Sequence, residues 1–506
     1  WQSVLGLERV GVRDDFFRIG GDSILSIQVT SRLRHAGVAC RVKDLFECRT
    51  IERLASYLSQ VLDRIEVEAE QGLLEGSFSL LPIQRWFFDQ VDHGYIGKPN
   101  HWNQSFIVNV PPLDLKILRE CLTSLVQHHD MLRVLYRDGM QRYQKEVPIP
   151  ELKVLDVSQT SDLESVLTYW QSSFDLSEGP LWQIGYLSGY ADGSARLYFA
   201  LHHLIVDAVS WRILIEDIRS LYEGKVLGVK SSSYRQWVNE VSVYETTHVD
   251  ERTYWHGVYE ELPDYGCYRS DTSYREVLQL DQETTSKLLQ RSHAAYHTEI
   301  NDLLLTSLAY ALKAWQGGDV QGITLEGHGR ESLNERIDVS RTLGWFTTMY
   351  PVKLEVQESL SASIKHIKES LRKVPNKGIG YGTLFGDKSI CKLPLISFNY
   401  LGQFDTAEGL WQLSDERSGM SAAKENHEQT IININGLVID GQLQFSVDTQ
   451  LEAKASHELV CALKAELIRV TEHCVEKANR AEVEFTPSDF KTVNISKELL
   501  DKLQSK

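Results

Sequence analysis

The sequence predicts a multidomain protein: a small all-α unit of four helices, then a much larger α/β (α+β) unit. Three observations carry this prediction. The chain has 506 residues, too many for one ordinary core, which points to two to four domains. The charge balance changes near residue 62. Residues 1–61 hold nine Lys/Arg against seven Asp/Glu, so with −17 for the whole chain the remainder carries −19. Finally, apolar spacing is helical throughout the first 61 residues, whereas later on short strand-like apolar and aromatic runs alternate with helical stretches.

In the first unit, Trp1 to Leu7 reads as a short amphipathic start. Ser23 to His35 repeats apolar residues at Ile24, Ile27 and Leu33, and Gly37 suits a helix stop. Val42 to Phe46 is a short helix, and Thr50 caps a last one, Ile51 to Leu62. Between the first two helices, Gly20 and Gly21 let the backbone turn tightly, and Ser23 follows at a helix start with its hydroxyl exposed. By itself Ser23 reads as an N-cap. Residues 62–77 are charged, lack apolar periodicity and read as a linker. The large unit opens at Leu81-Pro82-Ile83-Gln84-Arg85-Trp86-Phe87-Phe88. Strands are expected at 105–110 and 196–201, and a helix at 114–130, giving a lobe of about 78–225. A helical region from Tyr234 to Leu262 follows. A second lobe of about 234–484 takes shape from Val277, with a helix from Glu299 to Ala314 and a strand at Ile323–Leu325.

Composition excludes several classes. Hydrophobic content of 42% and charged content of 24% are those of a soluble globular protein. No run of 18 apolar residues exists, so no membrane span is expected. The N-terminus has neither a basic head nor an apolar signal core, and it lacks an initiator Met, which predicts a piece of a longer chain. The net charge argues against nucleic acid as a partner. The seven cysteines form no Cys-x-x-Cys pair, so free, mostly buried thiols in a cytoplasmic setting are expected.

The chemistry centres on Leu201-His202-His203-Leu204-Ile205-Val206-Asp207-Ala208-Val209-Ser210-Trp211. An apolar strand precedes it, and helical spacing (Ile213, Leu214, Ile218, Leu221) follows it. Successive strand side chains point to opposite faces, so only one histidine should face a cleft. Asp207 is placed to cap the helix. The partial positive charge of the helix start would help keep a nearby histidine neutral, as a base must be. No metal is expected, because His202 and His203 are adjacent and cannot both reach one ion from a strand.

This spacing, His-His-x-x-x-Asp-x-x-Ser-Trp, resembles the signature of condensation-type domains of nonribosomal peptide synthetases, and Trp211 leans toward their epimerization branch. Further motifs follow that branch in order: Pro82-Ile83-Gln84-x-Trp86-Phe87, Glu326-Gly327-His328-Gly329-Arg330-Glu331, the stretches Arg341–Pro351 and Lys377–Gly382, and Ile396–Asp405 containing Asn399-Tyr400. Read without the family, the first is core and the glutamate segment is a charged turn. The glycine-rich stretch lacks the Gly-Lys-Ser/Thr of a phosphate loop. Asp14 to Ser23 resembles the attachment motif of a peptidyl carrier domain. That resemblance implies 4′-phosphopantetheine on Ser23, where a helix N-terminus favours a phosphodiester. Asp22, in place of the more usual His, is associated with carriers serving an epimerization domain.

The resemblance implies two chloramphenicol-acetyltransferase-like lobes in a V, with a tunnel for the carrier's arm. The divisions are carrier 1–61, linker 62–77, epimerization domain 78–484 and a segment 485–506. In that segment the helix Ile495–Leu503, capped by Ser496, is either a frayed terminus or a docking helix for a downstream synthetase. Further partners implied are an upstream adenylation domain and a phosphopantetheinyl transferase. The implied reaction inverts the α-carbon of an aminoacyl or peptidyl thioester on Ser23, with two groups working on opposite faces. His203 and Glu326 are assigned to those faces. His202 is support or core, Asp207 is a cap and the partner of an arginine, and Arg330 is a candidate by resemblance. An ordinary histidine, with a pKa of about 6.5, is a weak base for a carbon acid, and each unit of mismatch costs about 1.4 kcal/mol. Enolate stabilisation is therefore needed, from the helix after Asp207 or from Asn399 and Tyr400. Two alternatives stand beside this: peptide-bond formation between two carriers, which gives Glu326 no role, and a non-catalytic platform that binds carriers.

Overall fold

The computed structural model describes residues 1–38, 40–60, 67–146, 149–260, 262–385, 393–404, 410–427, 429–490 and 500. Four helices make the first domain: Gln2–Leu5, Ser23–His35, Val42–Cys48 and Ile51–Gln60. They enclose Phe16, Leu25, Val29, Leu45 and Leu54. The third helix runs to Cys48 rather than Phe46 and ends where Arg49 turns left-handed (φ 58°) and donates its N–H to the Leu45 carbonyl at 2.9 Å; Asp44 caps its start by accepting from the Arg41 N–H at 2.9 Å. Residues 67–75, expected as linker, run along the large domain. There the Glu68 N–H donates to the Arg336 carbonyl at 2.8 Å, and Glu70 pairs with Arg235 at 2.6 Å.

The first lobe carries a five-stranded sheet in the order Gln412–Leu413, Asn103–Val110, Ala195–His202, Trp182–Ser188, Lys153–Asp156. Its pairs are antiparallel except the last. Leu115–His128 and Ala208–Tyr222 pack together as its helices. The edge strand Gln412–Leu413 comes from the second lobe's sequence, so the chain crosses back and stitches the lobes together. Two residues are too short for alternation to signal a strand, so no sequence pattern announces it.

The second lobe has a six-stranded sheet in the order Thr348–Glu355, Val320–Gly327, Ile396–Phe404, Ile432–Ile439, Gln442–Thr449, Tyr274–Gln279. Ile396–Phe404 is parallel to both of its neighbours. The long helices Ile300–Gln316 and Ala453–Asn479 cover this sheet. The strand expected at Ile323–Leu325 is longer, Val320–Gly327, so Glu326 sits inside it and not beyond its end. Pairing along the full length of Thr348–Glu355 extends it. Of the expected docking helix Ile495–Leu503 only Leu500, helical and buried, is among the described residues, and the end of the helix Ile51–Leu62 lies outside them. Among the described residues no helix is long and apolar enough to cross a membrane, and six cysteines are free, four of them buried.

Candidate active site

The apolar strand Ala195–His202 ends at the double histidine, and a single 3-10 turn, His203–Ile205, turns the chain toward the helix Ala208–Tyr222. His202 is fully buried; its Nε2 lies 2.8 Å from the Pro99 carbonyl, and its ring meets Phe87 edge-on. Burial holds its pKa down at about 3, so it stays a neutral core residue. His203 lines a cavity instead. Its Nδ1 lies 3.0 Å from the Val206 carbonyl and its Nε2 2.9 Å from the Gln104 amide nitrogen. Trp345 lies against the ring at 4.2 Å between centroids, tilted by 34°. Removal from water pushes the His203 pKa below the ordinary histidine value. Burial is thus the leading cause of the neutral imidazole, where the sequence had suggested the helix start.

Asp207 caps the helix by accepting from the Ser210 N–H at 2.8 Å. It also takes Arg330 Nη2 on both oxygens at 2.9 Å. Arg330 is buried, donates to the Val339 and Thr342 carbonyls at 2.8 and 2.7 Å, and lies over the Phe346 ring. The pair therefore bolts the histidine loop of one lobe to the Glu326 segment of the other. Gly329 makes this possible: its φ is +66°, and a Cβ there would lie 1.7 Å from the Phe346 carbonyl oxygen.

Glu326 reaches the same cavity from its strand. The parallel register pairs Ser397 with Thr324 and Phe398 with Leu325, which brings Asn399 level with Glu326. Asn399 Nδ2 donates to one carboxylate oxygen at 2.9 Å, and Ser397 Oγ donates to the other at 3.3 Å. In this structure the Asn399 amide, expected as a candidate for enolate stabilisation, is hydrogen-bonded to Glu326. Tyr400 lines the cavity, as do Ala208 and Val209 at the helix start. Ser397 was not singled out in the sequence, although strand alternation puts it on the face of Asn399, two residues on. Gln104 was missed as well; the available signal was a long amide inside a strand otherwise rich in apolar residues.

The cavity, of about 160 Å³, has a third wall from the first domain: Ser23, Ile24 and Phe46. Asp22, not Ser23, is the N-cap of helix Ser23–His35, accepting from Ile24 and Leu25 N–H at 2.9 and 2.8 Å. Ser23 is therefore the first helical residue, and it is half-buried at the domain junction where an exposed hydroxyl was expected. Ile24 and Ile27 pack into the large domain's first core. Around them, Gln403 Nε2 donates to the Gly20 carbonyl at 2.5 Å, Arg341 to Ser31 Oγ at 3.0 Å, Arg41 pairs with Glu335 at 2.9 Å, and Arg32 with Glu216 at 3.3 Å. Elsewhere, His128, His129 and Asp217 come close enough together to suggest a metal. There His129 already bonds Asp217 at 2.8 Å, and Arg341 neutralises the carboxylate.

Fold and cavity together define a two-lobed domain with a histidine and a carboxylate facing one space, into which a small helical domain presents a serine. A condensation domain model matches residues 74–492, and a phosphopantetheine attachment site model matches residues 1–58. The chain belongs to the condensation-domain family of nonribosomal peptide synthetases, behind an attachment domain that takes covalent 4′-phosphopantetheine on a serine. It is 36% identical to surfactin synthase subunit 1 of Bacillus subtilis (strain 168), over 99% of this chain and 15% of that protein. It is 35% identical to gramicidin S synthase 1 of Brevibacillus brevis, over 99% of this chain and 49% of that protein. The chain thus spans no more than about half the length of these relatives. Among solved structures, the epimerization domain from the third module of tyrocidine synthetase B is similar at a TM-score of 0.74 and 34% identity, covering 81% of this chain and 99% of that one. The condensation domain of the Monacolin K polyketide synthase MokA, 13% identical with a TM-score of 0.66, shares the fold.

Proposed function

We propose that this chain epimerizes the α-carbon of an aminoacyl or peptidyl group held as a thioester on the phosphopantetheine arm of Ser23. The observation that carries the reading is the convergence of His203, Glu326 and Ser23 on one cavity from three parts of the chain. A continuous space from Ser23 to the acid–base pair fits an arm attached at that serine. The likeness to a solved epimerization domain supports the same assignment.

When bound, the thioester supplies an acidified α-proton, because its carbonyl delocalises the carbanion. The residues of this chain supply the rest. His203 is neutral at pH 7, since its pKa is lowered, and it lines the cavity with its Nε2, hydrogen-bonded by Gln104 in the resting state, as the proton acceptor. Glu326, clamped by Asn399 and Ser397, presents a carboxyl group from the opposite lobe. One removes the proton and the other returns one to the far face, inverting the centre. Ala208 and Val209, at the positive end of their helix, and Tyr400 are placed to meet charge developing on the carbonyl oxygen. Peptide-bond formation gives Glu326 and its clamp no task.

On this reading a phosphopantetheinyl transferase modifies Ser23, an adenylation domain upstream loads it, and the product passes to a downstream synthetase that residues 485–506 recruit. The test loads the chain with L-aminoacyl and L-dipeptidyl arms, cleaves the thioester and measures the D to L ratio by chiral chromatography. A D/L mixture from the parent, lost in both His203→Ala and Glu326→Ala, is expected. If every arm stays L, the epimerization reading falls.

A further inference from the structure

We infer that Gln104 is a positioning residue for His203, serving the imidazole in both of its protonation states and fixing the resting tautomer with its proton on Nδ1. The inference rests on the acid–base role just proposed for His203, but its tautomer stands on geometry alone. The Val206 carbonyl, 3.0 Å from Nδ1, can only accept, so Nδ1 carries the proton. In a neutral ring Nε2 then holds the lone pair. The Gln104 amide nitrogen, 2.9 Å away, donates to it. The other half of that amide, Oε1, is buried with no hydrogen-bond partner. A buried acceptor without a partner is unusual, and calls for a state in which it has one.

Protonation of Nε2 supplies that state. Nε2 has one in-plane lone pair, so the Gln104 N–H must first swing off it; as the α-proton then moves to Nε2, the electron pair of the C–H bond stays with the substrate, delocalised into its carbonyl. Nε2 now carries a hydrogen, and two donors would face each other across the original contact. A half-turn of the Gln104 amide exchanges its ends and puts Oε1 opposite the new N–H. When Nε2 returns the proton, the amide turns back. No other side-chain type of this length offers a donor and an acceptor on one planar pivot except glutamine.

The relation is held by backbone, not by chance contact. Asn103 pairs with His202 and Gln104 with Leu201 on adjacent antiparallel strands, and the His203 N–H donates to the Trp102 carbonyl at 2.9 Å. Gln104 and His203 both line the cavity. The titratable groups that share the ring's segment or cavity are His202 and Asp207 on its own segment, with Asp207 paired to Arg330, and on the second lobe Glu326, His328, Glu331, Tyr350, Lys377, Tyr400 and Arg372 with its partners Glu299 and Asp302. From the carrier side comes Asp22, next to Ser23. His328 is itself paired with Glu331 at 3.2 Å.

Two measurements on the full chain test this. Long-range proton–nitrogen spectra of the histidine-labelled protein, with His203→Asn used to assign the signal, should show His203 as the Nδ1–H tautomer. The second is the pH dependence of L-to-D and D-to-L conversion in Gln104→Glu. A carboxylate beside Nε2 favours the imidazolium, so the limb governed by His203 should move to higher pH by about one unit or more in both directions. An Nε2–H tautomer in the parent overturns the inference. So does a Gln104→Glu profile that superimposes on the parent's after scaling. If the parent yields no D-product from any arm, the epimerization reading falls, and the tautomer still decides for or against Gln104.

Discussion

At the scale of single residues, the proposed function assigns some groups of the site to react and others to aim them. Glu326 lies at a cavity wall, and a carboxylate on a strand end can swing between rotamers; Asn399 and Ser397 remove that freedom. Loss of the carboxylate in Glu326→Gln should lower epimerization by about 10²–10⁴-fold, the range for a positioned acid or base. Asn399→Ala leaves the group present but loosely aimed, and about 10–100-fold is expected. Single-turnover chiral analysis ranks the two; equal losses would mean that Asn399 does more than hold Glu326. His202 sets a different test. Its pKa is about 3 in the folded chain against about 6.5 in an unfolded one. Between those values the unfolded chain binds a proton that the native state refuses, so stability is complete above pH 6.5 and declines as pH falls toward 3. The limiting slope is about 1.4 kcal/mol per pH unit. A His202→Gln chain should therefore lose less stability between pH 7 and pH 5 than the parent does, as urea unfolding at the two values would show.

At the scale of elements, the site exists because three of them end at the same place. The strand Ala195–His202 delivers the histidines, the helix Ala208–Tyr222 starts from Asp207, and the strand Val320–Gly327 brings Glu326 across from the other sheet. Arg330 joins the first two to the third through a buried, bidentate pair with Asp207. Breaking a buried pair from one side leaves an uncompensated charge, at about 3–5 kcal/mol. Arg330→Met should cost that much in denaturant unfolding, with epimerization reduced even below the unfolding transition because the loop that aims His203 loses its bolt. Replacing both members, Asp207→Asn with Arg330→Met, should recover part of the stability and little of the activity. A double variant no more stable than the single one would show that the pair is not what holds the lobes together.

At the scale of the whole molecule, the small domain sits with Ser23 at the rim of the cavity, held by an apolar patch and a ring of charge. Ile24 and Ile27 supply the patch. Arg32 and Arg41 meet Glu216 and Glu335, and both pairs are partly open to solvent. Such pairs are individually weak and are screened by salt, whose Debye length falls from about 10 Å at 0.1 M to about 3 Å at 1 M. Raising salt over that range should slow epimerization of the carrier-bound substrate by several fold, while turnover of a small soluble thioester is unchanged. Equal salt effects on both substrates would mean that the charges do not govern docking.

The sequence by itself determined a good deal: two domains, the strand–turn–helix that carries His202, His203 and Asp207, and the helix beginning at Ser23. These are local matters, fixed by periodicity and by capping chemistry within a dozen residues. It also determined that only one histidine could face a cleft, because strand alternation is geometric. What only the tertiary structure decided is everything that joins distant residues. Gln104 meets His203 through strand pairing, Ser397 and Asn399 reach Glu326 through a parallel register, and Gln412–Leu413 crosses to the first lobe's sheet. Ser23, which reads locally as an exposed cap, is half-buried at a domain junction because Asp22 takes the cap and the large domain covers the helix start. No periodicity encodes such meetings, since they depend on how sheets and domains pack, and it is they that turn a set of residues into a site.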